Sequence, residues 1–162
     1  MAEPFSTVAA AIALAGAVLK VSKTAKNFVD GIQGAPSSVK ALSGDVSSLI
    51  EVLALLEQYL RDLQGRRQQV EQARIASVLK VPLENCRKSL NAVETYLGPF
   101  VKHDKSSMSG KWKGIAWSYR EKEMMGLQRS LLSSQQVLNS AIAVVHLYVA
   151  SCLLLGGHQR GS

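Results

Sequence analysis

The first residues of the chain form a segment with almost no polar side chains. From Phe5 to Leu19 no residue is charged, and Ser6 and Thr7 are the only polar ones. A helix that is apolar on all sides is either surrounded by other helices or enters lipid. At about 1.5 Å per residue the segment makes roughly 22 Å of helix, which is shorter than the roughly 30 Å hydrocarbon core of a bilayer. We therefore expect a central bundle helix, and a release of that helix into a membrane remains open beside a purely structural role.

The charges around this segment argue against a secretory signal. A signal peptide carries positive charge before its apolar run. Here Glu3 precedes the run, and Lys20, Lys23 and Lys26 follow it. The order is reversed, so the segment is better interpreted as an apolar helix with basic residues at its end.

Composition predicts one domain with anionic partners. The chain has 162 residues, of which 47% are hydrophobic, and its 19 Lys and Arg exceed its 12 Asp and Glu, for a net charge of +7. Such a charge favours lipid head groups or nucleic acid. Nucleic acid is the weaker expectation, because no helix shows a continuous basic face interleaved with aromatic residues. Cys86 and Cys152 are expected to be free thiols of an intracellular protein.

Apolar periodicity predicts an all-α bundle of four to five helices. Helix two is expected from Ser37 to Leu63, after a connection at residues 31–36 that contains Gly31, Gly34 and Pro36. Spacings of three and four residues place one apolar seam along a helix. The seam of helix two consists of Val39, Leu42, Val46, Leu49, Leu53, Leu56, Leu60 and Leu63.

A turn and a short amphipathic helix are expected before Pro82, where a new helix begins or the existing one kinks. The apolar period then continues from Leu83 through Cys86, Leu90 and Val93 to Leu97, before Gly98 and Pro99. Helix three is therefore expected to end near Leu97.

The last helix is expected to follow a basic loop at residues 102–114. Ser118 and Glu121 fit a capping box, which places its start at Ser118. Its predicted seam is Met124, Leu127, Leu131, Ser134, Leu138, Ala141, Val145, Tyr148, Cys152 and Leu155, and residues 156–162 are interpreted as a tail. Because Ala141 to Leu155 is almost as apolar as the N-terminal segment, we expect helices one and four to lie side by side at the centre.

Motifs of catalysis are missing from the sequence. It contains no Walker loop, no His-Glu-x-x-His, no Cys-x-x-Cys and no nucleophile elbow. His103, His146 and His158 fall in a loop, an apolar helix and the tail, so they do not form a metal set. We expect no enzyme activity, no metal and no cofactor.

Three stretches resemble the HeLo-like domain at the N-termini of fungal STAND proteins. They are the apolar N-terminus, the helix that Ala35-Pro36 introduces, and the segment from Trp117 to Leu132. The resemblance covers residues 1–155. It implies a helical bundle related to HeLo domains and to the four-helix bundle of the necroptosis executioner pseudokinase. It also implies a cell-death effector that an amyloid motif or a NOD-like receptor triggers to oligomerise and damage membranes.

The composition of the N-terminal segment and the family resemblance lead to one hypothesis, a soluble bundle that exposes its N-terminal helix to anionic lipid. It would be cytoplasmic at rest and reach the plasma membrane on activation, when several copies associate. The alternative is a regulatory or scaffolding bundle that never enters lipid. Head groups are expected at Lys20, Lys23 and Lys26. The residues expected to enter lipid are Phe5, Val8, Ile12, Leu14, Val18 and Leu19.

Overall fold

The computed structural model describes residues 7–32, 34–67, 69–101 and 115–158 and shows four helices. They are α1 (Val8–Asp30), α2 (Ser37–Gln64), α3 (Gln69–Val101) and α4 (Ile115–His158). No strand occurs within the described residues. The predicted all-α bundle is confirmed.

Local chemistry sets the ends of α1. Thr7 has extended backbone angles, and its Oγ1 accepts a hydrogen bond from the N–H of Ala10 at 3.4 Å. Such a cap satisfies one of the amide groups that the first helical turn leaves unpaired. At the other end Gly31 closes the helix, and Gly34 has a φ of +68°, a left-handed conformation that glycine adopts without strain. The connection predicted at residues 31–36 is confirmed.

The seam of α2 is buried along its whole length. All eight of its predicted members are at most 7% exposed. A fully buried Leu or Val side chain contributes about 1.5–3 kcal/mol. The three-four spacing therefore predicted both the helix and the side of it that faces the core.

The third helix continues through Pro82, so the expectation that a new helix begins there is wrong. Pro82 is buried inside α3. A proline within a helix costs about 3 kcal/mol, since it removes one backbone hydrogen bond and crowds the preceding turn. Burial of Ile75 and Leu79 before it and of Leu83 and Leu90 after it outweighs that cost. The predicted end at Leu97 is also wrong, because the helix continues to Val101.

The four helices form a ring in the order α1, α2, α4, α3. α1 packs on α2 and α3, whereas α4 packs mainly on α3 and makes a smaller contact with α2. Across the described residues α1 and α4 share no extensive interface. The expectation that these two apolar helices lie side by side is therefore wrong. The apolar face of α1 is already covered by α2 and α3.

Polar contacts fix the relative direction of α2 and α4. Asp45 and Ser48 in the first half of α2 accept hydrogen bonds from Gln128 and Gln135 in the first half of α4, at 2.6 and 3.0 Å. These two helices are therefore parallel. Between α3 and α4, the Oγ of Ser89 lies 2.9 Å from the Oγ of Ser134.

α4 begins at Ile115, three residues before the predicted Ser118. The interior part of its predicted seam is confirmed, because Met124, Leu131, Leu138, Ala141 and Val145 are buried. Leu155 was expected to belong to this seam, but it is 74% exposed. The prediction for Leu155 is wrong because the end of α4 extends beyond the helices that cover the rest of the seam.

Candidate membrane-contact surface

The structure places most of the residues predicted to enter lipid in the core. Val8 and Val18 are 0% exposed, Ile12 and Leu14 are 8% exposed, and Leu19 is half-buried. Phe5 lies outside the described residues. In this structure the N-terminal helix is thus a core helix, and lipid contact by these side chains requires that the bundle open.

One side of α1 nevertheless faces solvent. That side consists of Ala9, Ala13 and Ala17 along the apolar segment, all of them exposed. Residues four apart lie on one face of a helix, and an exposed alanine presents only one methyl group to water. The segment appeared apolar on all sides because alanine counts as hydrophobic, although exposing its outward-facing methyl groups to water costs little free energy.

The three lysines predicted at head groups differ in their freedom. Lys20 and Lys23 are exposed. Lys26 donates from Nζ to Asp30 Oδ2 at 2.8 Å and to Ser43 Oγ at 3.2 Å, and Ser43 also donates to Asp30. Hydrogen bonds from Lys26 and Ser43 lower the pKa of the Asp30 carboxyl. Lys26 therefore ties α1 to α2 in the closed bundle.

The exposed apolar surface lies on α4 instead. Val145 is 1% exposed, but Val144 beside it is 50% exposed and Leu147 is 69% exposed. From Ser130 to Gly157 the chain contains no Asp, Glu, Lys or Arg. The large apolar residues of α4 that face solvent are Met125, Leu132, Val137, Val144, Leu147, Leu153, Leu154 and Leu155. Exposed large apolar residues concentrated on one helix are typical of a site of membrane or protein contact.

The end of α4 projects past the rest of the bundle. Leu153, Leu154 and Leu155 are 63%, 78% and 74% exposed. Successive residues of a helix point about 100° apart, so three exposed neighbours cover most of its circumference. Solvent therefore surrounds the last turns of α4, and three leucines extend from the bundle.

An apolar groove lies between α2 and α4 on the side where these helices make little contact. Its volume is about 350 Å³, and Leu55 on its α2 edge is 68% exposed. The Tyr59 ring packs edge-on against the His146 imidazole within it. The residues that line the groove are Val52, Leu55, Leu56, Tyr59, Asn139, Ile142 and His146.

Length and composition alone do not separate α1 from α4. Both are long and apolar enough to cross a membrane, but 44% of the most apolar eighteen-residue window of α1 is buried, against 17% in α4. Burial in the core accounts for the composition of α1. It does not account for that of α4. The sequence signal for the outer face of α4 is the uncharged run after Arg129, whereas the apolar period predicts only the seam that faces the core.

Comparison with known proteins identifies a family. The family model described as "Pigment biosynthesis cluster protein PigL N-terminal" matches residues 2–153, nearly the whole chain. The match supports a fungal helical domain, the coarser part of the resemblance described above. No curated protein and no solved structure matches the chain. The chain therefore belongs to the PigL N-terminal family.

Proposed function

We propose that this domain is a membrane-targeting effector of the HeLo-like type, which binds anionic membranes and permeabilises them when several copies associate. The biological setting implied by the resemblance is programmed cell death in fungal incompatibility and immunity, triggered by an amyloid motif or a NOD-like receptor. In this proposal the domain moves from the cytoplasm to the plasma membrane.

The observation that supports the proposal is the exposed, uncharged half of α4. Exposed apolar area is unfavourable in water by about 25 cal/mol per Å². A helix that serves only the core would carry polar residues on its outer face, as amphipathic helices of bundles do. The outer face of α4 instead carries Val144, Leu147 and Leu154.

The longer uncharged run of α4 also favours this helix as the first element to contact lipid. The uncharged run from Ser130 to Gly157 forms about 42 Å of helix, more than the roughly 30 Å hydrocarbon core, whereas the uncharged run of α1 from Val8 to Leu19 forms about 18 Å. We propose that α4 contacts the bilayer while the bundle is still closed. Release of α1, which would expose Val8, Ile12 and Val18, follows only when the bundle opens.

The groove between α2 and α4 favours a second candidate function, a docking module for an apolar helix of another protein. Its exposed edge residue is Leu55 on α2. Leu55 and Leu147 are almost equally exposed, at 68% and 69%, but lie on different surfaces. This pair allows the two functions to be distinguished by matched substitutions.

The test is flotation of the purified domain with vesicles, followed by dye release from them, with a forced-oligomerisation tag added in a second arm. The Leu147→Gln and Leu154→Gln double variant is expected to lose most binding and leakage. The Leu147→Gln single variant is expected to lose part of both. The Leu55→Gln variant, which removes about as much exposed apolar surface as Leu147→Gln alone, is expected to behave like the parent. If neither form of the parent floats with any vesicle, the membrane function is wrong. If Leu55→Gln weakens binding of the domain to another protein and the Leu147→Gln, Leu154→Gln double variant does not, the docking function is favoured.

A further inference from the structure

We infer that the closed domain docks end-on, with the projecting end of α4 and the arginines of the α2–α3 connection against anionic phospholipid head groups. This inference rests on the proposed membrane function. It assigns the head-group contacts to Arg66 and Arg74 in place of Lys20, Lys23 and Lys26. We call this end of the bundle the arginine pole; it comprises Arg61, Arg66, Arg67, Arg74 and the three leucines 153–155.

Two contacts bring the arginines and the leucines to the same end. Tyr59, near the end of α2, packs on His146 of α4. The guanidinium of Arg74, near the start of α3, lies 5.6 Å from the centroid of the Tyr148 ring. Leu153 and Leu155 follow Tyr148 by about 8 and 10 Å along the helix axis, at 1.5 Å per residue. Cations and exposed leucines thus lie on one surface.

The charges at this pole are partly paired. Arg61 contacts Glu57 at 2.7 Å, and Arg67 contacts Glu71 at 3.5 Å. Among residues 57–74, Asp62 is the one acidic residue besides Glu57 and Glu71, and it is exposed on the last turns of α2. Arg66 and Arg74 are both exposed, and Arg66 makes no ion pair with any residue that the structure describes.

An apolar tip beside exposed cations is complementary to a bilayer with anionic head groups. Leucines at the tip can enter the acyl region while neighbouring arginines remain at the level of the phosphates. Arginine suits this position, since its planar guanidinium donates two parallel hydrogen bonds to a phosphate. The stacking of Arg74 on Tyr148 also keeps one of these cations beside α4.

The lysines of α1 lie too far from this pole to contribute. α1 starts at the pole, because it runs antiparallel to α2: Gly16 lies beside the Glu57 carboxylate, and Lys26 bonds to Ser43. Counted from Val8, Lys20 lies about 18 Å along the helix and Lys26 about 27 Å. Exposed charges are screened within about 8 to 10 Å at ordinary salt. End-on docking thus leaves these lysines outside the range of the head groups.

The experiment compares two variants that each lose two positive charges. Vesicles of zwitterionic phosphatidylcholine, with or without phosphatidylserine, are titrated with the full chain. Since each basic residue near an anionic surface changes binding about fivefold, Arg66→Gln with Arg74→Gln is expected to weaken the partition coefficient about 25-fold. Lys20→Gln with Lys23→Gln is expected to change it by less than about twofold. Arg66→Lys with Arg74→Lys, which keeps both charges, should retain most binding.

Circular dichroism and thermal melting establish that each variant is folded. The inference is overturned if the lysine variant loses as much affinity as the arginine variant, or if a folded arginine variant binds like the parent. Binding of the parent that is equal with and without phosphatidylserine overturns the head-group contacts and the preference for anionic membranes, but leaves membrane binding itself intact. Failure of the parent to bind either kind of vesicle overturns both.

Discussion

The ring of Tyr59 packs edge-on against the imidazole of His146, with centroids 4.6 Å apart and an interplanar angle of 81°. This contact joins α2 to α4 in the apolar groove, beyond the polar bonds that Asp45 and Ser48 make near the other end of the same interface. Edge-on aromatic pairs contribute about 0.5–1.5 kcal/mol beyond the area they bury. The contact therefore adds to the attachment of the apolar half of α4 to α2, with which α4 shares a smaller interface than with α3.

Removal of the Tyr59 ring is expected to loosen the end of α4. In Tyr59→Ala the amides of residues 142–157 should exchange with solvent faster, because the helix loses a contact with α2, while those of the α2 seam should change less. Hydrogen exchange followed by mass spectrometry measures this. Tyr59→Phe, which keeps the ring, should exchange like the parent. Unchanged exchange in Tyr59→Ala would show that the Tyr59–His146 contact does not hold this end of α4.

A charge placed on the inner face of α1 should destabilise the fold far more than the same charge one position later. Ile12→Glu buries a carboxylate in the core and is expected to lower the free energy of unfolding by about 3 kcal/mol or more. Ala13→Glu, on the exposed face, should change it by about 0.5 kcal/mol or less. Urea denaturation followed by circular dichroism compares the two. Equal stability of both variants would contradict the core position of Ile12.

The hydroxyl of Ser89 is expected to contribute to the packing of α3 on α4. It is buried and lies 2.9 Å from the Oγ of Ser134 and 3.3 Å from the Oγ of Ser130. Ser89→Ala should cost about 0.5–1.5 kcal/mol, the usual net value of a hydrogen bond. Ser133→Ala, at an exposed position of α4, serves as the control in the same urea titration. A Ser89→Ala variant as stable as this control would show that water replaces the bond at no cost.

The two thiols should differ in reactivity. Burial raises the pKa of Cys86 from its ordinary value of 9.0 to about 11, whereas Cys152 is half-buried near the end of α4. Since the thiolate is the reactive form, a maleimide or iodoacetamide should label Cys152 in the folded protein and Cys86 only after unfolding. Peptide mapping after timed labelling measures both rates. Rapid labelling of Cys86 under native conditions would contradict its burial.

The same shift predicts the direction of a pH effect. A group whose pKa is higher in the folded state than in the unfolded state stabilises the fold below its unfolded pKa. The contribution of Cys86 should therefore be complete below pH 9.0 and disappear as the pH rises towards about 11. In Cys86→Ala the stability should fall less over this range, as measured by urea denaturation at each pH. An identical decline in both proteins would assign the effect to other groups.

Periodicity was enough to predict the helical class and the inner face of α2, and the Gly and Pro residues were enough to predict the connection at residues 31–36. These features depend on spacings within a few turns, and a regular three-four pattern places side chains on one face whatever the rest of the chain does. The same local view could not decide whether a new helix begins at Pro82 or the existing one continues. There the cost of a proline is local, but the burial of Ile75 and Leu83 that outweighs it depends on the helices packed around them.

Which apolar helix would be covered was decided by the tertiary structure. Composition made Phe5–Leu19 and Ala141–Leu155 nearly equivalent, and their mutual burial was the simplest solution. In the fold α2 and α3 cover α1, while α4 contacts the bundle through a narrow stripe that includes Leu138 and Val145. Helix neighbours are set by contacts between residues far apart in the chain, which local spacing does not record. For this reason the exposure of the α4 leucines depends on how the four helices pack and could not be predicted from local spacing.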